Sequence, residues 1–226
     1  MIIIFGGTTE GRTAAKVLDE AGSPYYYSTR GNAQQIECKH GTRVTGGMDR
    51  NTMLEFCMTH NIRLIIDAAH PFASLLHATV ASVSEQLDIP VIRLERRYPP
   101  RDETLVWCDT FDDAIDYLES HEINHLLALS GVQTIGKLRR YWEKHPCHFR
   151  VLDREDSRTL ARQAGFPEKN LLFWHEGQDE LALFRQLHPG AILTKESGES
   201  GYYEEKITAA RQLGIPVIVI RRPSLP

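Results

Sequence analysis

Two segments of the sequence combine ionisable side chains with the features of a ligand-binding loop. The first, Asp67–Phe72, follows an apolar run and reads Asp-Ala-Ala-His-Pro-Phe. A carboxylate and an imidazole this close can orient or exchange a proton, so we predict catalytic roles for Asp67 and His70. Pro71 restricts the backbone of His70, and Phe72 can supply a flat wall, so we assign both to substrate contact. In the alternative interpretation, Asp67 caps the turn and His70 is structural.

The second segment, Thr194–Gly201, also follows an apolar run and contains a lysine, two serines and two glycines. Such a loop before a helix can receive an anion through backbone N–H groups and a cationic side chain. We predict Lys195 as a third catalytic candidate, because its ammonium group can donate a proton. The predicted substrate contacts in and after this loop are Thr194, Ser197, Gly198, Gly201 and Lys206. The alternative is a capped helix start with a solvated lysine.

Arginines follow the predicted strands Pro90–Leu94 and Pro216–Ile220. A polyanionic substrate would explain why cationic groups gather at strand ends in a chain whose net charge is −4. We therefore assign Arg93 and Arg96 to substrate binding. Solvated loops explain the same arginines equally well.

The N-terminal segment predicts a phosphate site. An apolar run precedes Gly6 and Gly7, and an amphipathic helix follows them. Glycines let a pyrophosphate approach the backbone at a helix N-terminus, where N–H groups and the helix dipole favour an anion. The spacing departs from G-x-G-x-x-G, which leaves a plain strand-to-helix turn as the alternative. The predicted cofactor contacts in this segment are Gly6, Gly7, Thr8, Thr9 and Glu10.

The end of the second predicted strand bears on the choice of cofactor. NAD sites usually have an acidic residue here that binds the ribose hydroxyls, whereas this chain has Ser28, Thr29 and Arg30. Because a guanidinium pairs with phosphate through two hydrogen bonds, Ser28 and Arg30 favour NADP(H), and NAD(H) stays open. A surface arginine in a loop is the alternative.

Short β-branched runs alternate with helical patterns along the 226 residues. This order predicts an α/β fold with mostly parallel sheets that helices cover on both faces. The predicted strands are Met1–Phe5, Pro24–Ser28, Thr42–Thr45, Arg63–Asp67, Pro90–Leu94, His125–Ser130, Phe149–Leu152, Asn170–Trp174, Ala191–Thr194 and Pro216–Ile220.

An internal repeat suggests how these strands divide. Residues 87–97 resemble residues 213–223, and Phe5–Gly7 aligns with Ser130–Val132 at nearly the same offset. We predict two Rossmann-like units with a cleft between them. The N-terminal unit, 1–110, binds the cofactor, and the C-terminal unit, 111–226, contributes to the substrate cleft. The alternative is that similar strand endings recur by chance in any α/β protein.

Composition disfavours several other classes of protein. The net charge of −4 argues against a nucleic-acid partner that is bound by bulk phosphate neutralisation. No apolar stretch approaches the ~20 residues that span a bilayer, and the apolar start lacks the basic flank of a signal peptide. The four widely spaced cysteines indicate reduced thiols, so we expect a cytoplasmic protein without a membrane partner. We predict no metal site, because no third ligand accompanies His70 and His77 at a recognisable spacing.

Taken together, the motifs resemble the precorrin-6A reductase and cobalt-precorrin-6A reductase family of cobalamin biosynthesis. The most specific part of the resemblance is the pattern Asp-x-x-His-Pro-Phe-Ala. The segments that carry it, in chain order, are Gly6–Glu10, Asp67–Ala73, Ile89–Arg96, Thr194–Gly198, Lys206, Ala209–Ala210 and Ile215–Val217.

This resemblance implies an NAD(P)H-dependent oxidoreductase that reduces precorrin-6A or cobalt-precorrin-6A to the dihydro (6B) product. A precorrin carries many carboxylates, which fits the cationic residues at strand ends. Other enzymes of the corrin pathway are candidate partners. The alternatives are a non-catalytic NAD(P)-sensing module and a reductase of another small substrate. A short-chain reductase or epimerase of sugar nucleotides is disfavoured on the expectation that its Tyr-x-x-x-Lys dyad is absent.

Overall fold

The computed structural model describes residues 1–31, 36–199 and 202–224. Strands and helices alternate along most of these residues, except that β3 follows β2 and β6 follows β5 directly. The strands are β1 (Ile2–Phe5), β2 (Tyr25–Thr29), β3 (Gly41–Thr45), β4 (Leu64–Asp67), β5 (Val91–Arg93), β6 (Val106–Cys108), β7 (Leu126–Ala128), β8 (Cys147–Leu152), β9 (Leu171–Trp174), β10 (Ala191–Lys195) and β11 (Val217–Ile220). The helices are α1 (Thr9–Glu20), α2 (Arg50–Thr59), α3 (Ser74–Leu87), α4 (Phe111–Ser120), α5 (Arg139–Trp142), α6 (Glu155–Gln163), α7 (Glu180–Leu187) and α8 (Tyr203–Gln212).

The chain forms two compact units. The first contains residues 1–96 and the C-terminal residues from Pro223 onward, and the second spans Arg97–Arg222. The first unit has one sheet in the order β3-β2-β1-β4-β5, and the second has one sheet in the order β6-β11-β10-β7-β8-β9. Neighbouring strands are parallel throughout both sheets. The predicted fold class of two Rossmann-like α/β units is therefore confirmed.

The two sheets share one topology. Without β6, the second sheet repeats the order of the first, with β7 in the place of β1 and β11 in the place of β5. These are the strands that carry the repeated segments in the sequence. Strand β6 was not predicted, and it pairs with β11 at the edge of the second sheet.

The apolar runs form strands because both faces of each sheet are buried. In the first unit, Ile3 and Phe5 pack in the cluster that includes residues of α2 and α3. Ile4, which points to the opposite face, packs against α1. In the second unit, Leu127 and Ile192 pack in a cluster with residues of α7 and α8.

The order of the strands determines where a ligand can bind. In an open parallel sheet, ligands bind beyond the carboxyl ends of the strands, where successive connections leave in opposite directions. That point lies between β1 and β4 in the first sheet and between β7 and β10 in the second. The glycine turn follows β1, the Asp67–Phe72 loop follows β4, and the Thr194–Gly201 loop begins at the end of β10.

Candidate functional site

Gly6 and Gly11 have one physical role at the N-terminal turn and the start of α1, and Gly7 has another. A Cβ on Gly6 would lie 2.3 Å from the Tyr27 ring, and a Cβ on Gly11 would lie 2.8 Å from the Gly6 Cα. Both glycines therefore allow the turn, α1 and β2 to pack closely. Gly7 has a φ of +93°, and a Cβ there would meet nothing within 4 Å. Gly7 is thus the position that a ligand can approach.

Thr8 joins the loops that follow β1 and β4. Its side chain is buried, accepts from the Gly11 N–H at 3.0 Å and donates to the Ala68 carbonyl at 2.6 Å. The Gly7 N–H donates to the Tyr27 hydroxyl at 3.2 Å, so this amide points into the protein. A phosphate would therefore be received by the N–H groups that follow, in the first turn of α1.

The two other predicted cofactor contacts of this turn lie on α1. Thr9 begins the helix and accepts a hydrogen bond from Arg12 at 3.0 Å. Glu10 forms an ion pair with Arg96 at 3.2 Å, and both side chains are largely buried. A residue predicted to bind the cofactor and one predicted to bind substrate therefore neutralise each other's charge.

Two arginines, Arg30 and Arg43, lie near the end of β2. Ser28 is buried and its carbonyl accepts from the Gly6 N–H at 2.9 Å, whereas Arg30 is exposed. Arg43, on the neighbouring strand β3, donates to Thr29 Oγ1 at 3.3 Å. Sequence reasoning missed Arg43 because its proximity depends on the pairing of β2 with β3. Ser28, Arg30 and Arg43 thus lie near the end of β2, and only Ser28 and Arg30 were predicted there from the sequence.

The Tyr27 hydroxyl lies beside the glycine turn, and nearby charges affect its pKa. Burial raises the pKa of Tyr27, while the Gly7 N–H and the charges of Arg12 and Arg43 oppose that rise. Two guanidinium groups therefore contribute positive potential beside the glycine turn. This potential favours an anionic ligand.

Asp67 is held by several groups of the first unit. It is 3% exposed. Its Oδ2 lies 2.7 Å from Arg93 Nη1 and 2.7 Å from His77 Nδ1. Its Oδ1 accepts from the Ala69 N–H at 3.2 Å. An ionised carboxylate with this set of partners orders the loop after β4, and Arg93 also pairs with Glu95 at 2.7 Å.

His70 has a defined ring orientation. The Phe72 N–H donates to His70 Nδ1 at 3.2 Å, so this nitrogen holds a lone pair and the neutral ring carries its proton on Nε2. Pro71 is buried, and the centroids of the His70 and Phe72 rings are 5.9 Å apart. In this tautomer Nδ1 accepts a hydrogen bond and has no proton to donate.

In the second unit, three residues predicted from the sequence have a hydroxyl or an ammonium group in a largely buried environment. Thr194 is 1% exposed, and its hydroxyl has no hydrogen-bond partner among the described residues. Burial and the charge of Lys137 lower the pKa of Lys195 to about 8. Burial and the charge of Arg150 lower the pKa of Lys206 to about 8.

Glu196 anchors the loop that contains Lys195. Its carboxylate accepts from Arg101 Nε (3.1 Å) and Nη2 (3.0 Å), and from the Arg222 N–H (3.0 Å) and Nη1 (3.2 Å). Burial alone would raise the pKa of Glu196, but these hydrogen bonds and charges lower it below its ordinary value. The Arg222 guanidinium also lies 3.6 Å from the centroid of the Tyr98 ring. The loop is therefore fixed to the first and last segments of the second unit.

The rest of this loop is only partly described. Ser197 is buried, Gly198 has a φ of +66°, and Gly201 lies outside the described residues. Beyond the end of β7, the strand that neighbours β10, Ser130 Oγ lies 2.6 Å from Thr134 Oγ1. No role was predicted for this hydroxyl pair.

The expectation that a Tyr-x-x-x-Lys dyad is absent is wrong, because Tyr202 and Lys206 have this spacing. Tyr202 precedes α8 with a left-handed backbone (φ +53°) and is 46% exposed, whereas Lys206 is buried. The two side chains thus lie in unlike environments, and the spacing does not by itself support the sugar-nucleotide alternative.

Residues 1–31, 36–199 and 202–224 contain no group of three or more His, Cys, Asp or Glu side chains that could hold a metal ion. None of the helices formed by them is long and apolar enough to cross a membrane.

Comparison with known proteins places the chain in a family. The family model described as precorrin-6x reductase CbiJ/CobK matches residues 1–226. The chain belongs to this family. A precorrin-6A reductase of Rhodococcus erythropolis is 31% identical over 100% of this chain and 90% of its own. A cobalt-precorrin-6A reductase of Methanothermobacter thermautotrophicus is 29% identical over 99% of this chain and 77% of its own.

A solved structure supports the same fold. It is described as CobK precorrin-6A reductase and aligns with 100% of this chain and 89% of its own, with a TM-score of 0.81 at 23% identity. The two parallel-sheet units of this member of the precorrin-6x reductase family therefore have a counterpart in a solved protein.

The Glu196 anchor predicts a pH-dependent stability difference. We expect Glu196→Gln to lower the free energy of unfolding at pH 7 by about 1–2 kcal/mol, a value discounted because both arginines are partly exposed. Because the pKa of Glu196 is lowered on folding, its contribution is present above the unfolded value near ~4.3 and is lost as the pH falls through the folded value. Urea unfolding at pH 7 and pH 3.5 measures this.

The matched control is Asp109→Asn, which removes an exposed carboxylate that pairs with Arg221 at 2.8 Å. We expect it to cost at most ~1 kcal/mol at pH 7. A Glu196→Gln effect that equals this control, or that persists unchanged at pH 3.5, contradicts the anchor.

Proposed function

We propose that this protein reduces precorrin-6A, or its cobalt-containing counterpart, with hydride from a nicotinamide cofactor. The observation that carries the proposal is the family match over all 226 residues. The glycine turn with an open face at Gly7 supports it independently, since a pyrophosphate needs that approach. The relatives include proteins named for both substrates, so the cobalt content of the substrate stays open.

For the cofactor we propose NADP(H). Arg30 and Arg43 lie near the end of β2, where the ribose of a dinucleotide lies in folds of this type. Guanidinium groups recognise the 2′-phosphate that NADP carries and NAD lacks. Proposed contacts with the rest of the cofactor are Gly6, Gly7, Thr8, Thr9, Glu10 and Ser28.

For the substrate we propose a carboxylate-rich macrocycle. A buried threonine hydroxyl and two lysines at the end of β10 and in α8 suit carboxylate groups. In the first unit, Arg93 and Arg96 already pair with carboxylates, so they would share their remaining N–H donors with the substrate. The proposed contacts are Pro71, Phe72, Arg93, Arg96, Thr194, Ser197, Gly198, Gly201 and Lys206.

Reduction adds a hydride and a proton, and we propose that Lys195 supplies the proton. Asp67 is a poor donor because its carboxylate oxygens already accept from Arg93 and from the Ala69 N–H. His70 accepts from Phe72 at Nδ1, so its neutral ring has no proton at that nitrogen to give. The Lys195 ammonium, with a pKa of about 8, can transfer a proton near neutral pH and regain one from water.

The cofactor supplies the hydride, and the chain supplies orientation and protection from water. The competing proposal is an NAD(P)-sensing module without turnover. Mixing purified protein with precorrin-6A and either NADPH or NADH separates the two, because only the reductase oxidises the cofactor. No substrate-dependent loss of cofactor absorbance with either nucleotide, for cobalt-free and cobalt-containing substrate alike, would overturn the proposal.

Substitution at Gly7 tests the phosphate site. We expect Gly7→Val to raise the Kd for NADPH more than tenfold, since its side chain would occupy the open face of the turn (each tenfold is about 1.4 kcal/mol). Gly22→Val is the control, because Gly22 also has a positive φ (+64°) and open surroundings, but lies beyond α1. Titration that shows equal Kd changes for both variants would remove the phosphate from this turn.

The arginines near β2 test the cofactor preference. We expect Arg43→Gln and Arg30→Gln each to raise the KM for NADPH roughly tenfold, the effect of losing a charge-assisted hydrogen bond worth about 1.5 kcal/mol. The KM for NADH should stay unchanged, since it has no 2′-phosphate. Arg63→Gln, an exposed arginine before β4, is the control. Equal increases for both nucleotides count against a 2′-phosphate contact.

The lowered pKa of Lys195 predicts an alkaline limb in the rate. An ammonium donates only while protonated, so kcat should fall as the pH rises through about 8. Lys195→Met should lower kcat by roughly 10²–10⁴-fold and abolish this limb. Lys137→Met removes a like charge that lowers this pKa, so it should move the limb to higher pH. A limb that survives in Lys195→Met assigns the proton to another group.

A further inference from the structure

The buried imidazole of His77 contacts two residues of the Asp67–Phe72 loop. It lies in the first turn of α3 and is 2% exposed. Its Nδ1 lies 2.7 Å from Asp67 Oδ2, and its Nε2 lies 3.0 Å from the His70 carbonyl oxygen. One ring therefore contacts the residue that ends β4 and the residue at the centre of the loop.

The start of α3 lacks the side-chain cap that four other helices have. Helices α1, α2, α4 and α7 each accept a backbone N–H through the side chain of the residue that precedes them. The residue before α3 is Ala73, which makes no such bond. The His77 side chain contacts the His70 carbonyl, which joins α3 to the preceding loop but satisfies no backbone N–H of the helix.

That carbonyl is the fixed point of the loop. It also accepts from the Ala73 N–H at 2.8 Å, while the Phe72 N–H donates to the His70 ring. Backbone and ring of His70 are therefore held by three different donors. Loss of the His77 bond would remove one donor from this carbonyl and allow the peptide to rotate, which would also weaken the Phe72–imidazole bond.

We propose that His77 is a positioning residue that fixes the orientation of the His70 imidazole. The proposal rests on the proposed reductase function for its kinetic effect, but not for its structural effect. His77 acts through the His70 carbonyl. Its other nitrogen, Nδ1, lies 2.7 Å from Asp67 Oδ2 and 2.8 Å from Arg93 Nη1.

The two nitrogens can be tested separately. His77→Gln places a side-chain amide where Nε2 lies and can still donate to the His70 carbonyl, whereas His77→Asn reaches only the Nδ1 position beside Asp67. Both variants keep the ion pair of Asp67 with Arg93, so both should fold. His60→Gln is the control in the same unit, because His60 Nδ1 contacts the Tyr26 hydroxyl at 2.9 Å and not this loop.

Two readouts are measured for each variant. The first is hydrogen exchange of the Phe72 amide by NMR, which needs neither cofactor nor substrate. The second is kcat with precorrin-6A together with the KM for the cofactor. We expect His77→Asn to speed Phe72 exchange and to lower kcat roughly tenfold or more at unchanged cofactor KM. His77→Gln and His60→Gln should stay within about threefold of the wild type in both readouts.

Each outcome decides the proposal. Equal effects of His77→Asn and His77→Gln on Phe72 exchange, or none in either, would overturn it. Lower thermal stability with unchanged exchange and kcat would make His77 merely structural and overturn it as well. If wild-type protein shows no turnover, the reductase function fails, and Phe72 exchange still decides whether His77 positions His70.

Discussion

The parallel order of the strands is the constraint on which both candidate sites depend. Parallel strands end at the same edge of a sheet, and a gap opens there only where successive connections leave in opposite directions. That gap lies between β1 and β4 in one unit and between β7 and β10 in the other. In the first unit, the Thr8 hydroxyl donates across it to the Ala68 carbonyl, so the glycine turn and the Asp67–Phe72 loop are fixed to each other.

Features that depend on local pattern were predictable from the sequence. The apolar runs of β1 and β11 are buried on both faces, which requires apolar residues at successive positions. Strand β6 escaped prediction because its three residues become a strand only by pairing with β11, far later in the chain. Arg43 escaped for the same reason, since the register of β2 with β3 is not visible in either strand alone.

The sequence defined the roles of the arginines least well. It shows cations gathered after strands, which suggested a polyanionic ligand. The structure gives two of them a carboxylate with little exposure: Asp67 beside Arg93 and Glu10 beside Arg96. A buried carboxylate costs several kcal/mol unless it is paired, so the positions of these arginines follow from the folding of the loops as well as from any ligand.

Arginine and lysine therefore suit different roles at these strand ends. A guanidinium keeps its charge, whereas the pKa of an ammonium shifts readily on burial. A group that gives up a proton during turnover cannot also be the counter-charge of a buried carboxylate, since each transfer would leave that carboxylate unpaired. Glu196 is held by Arg101 and Arg222, so this anchor does not require the neighbouring Lys195, the proposed proton donor, to keep its charge.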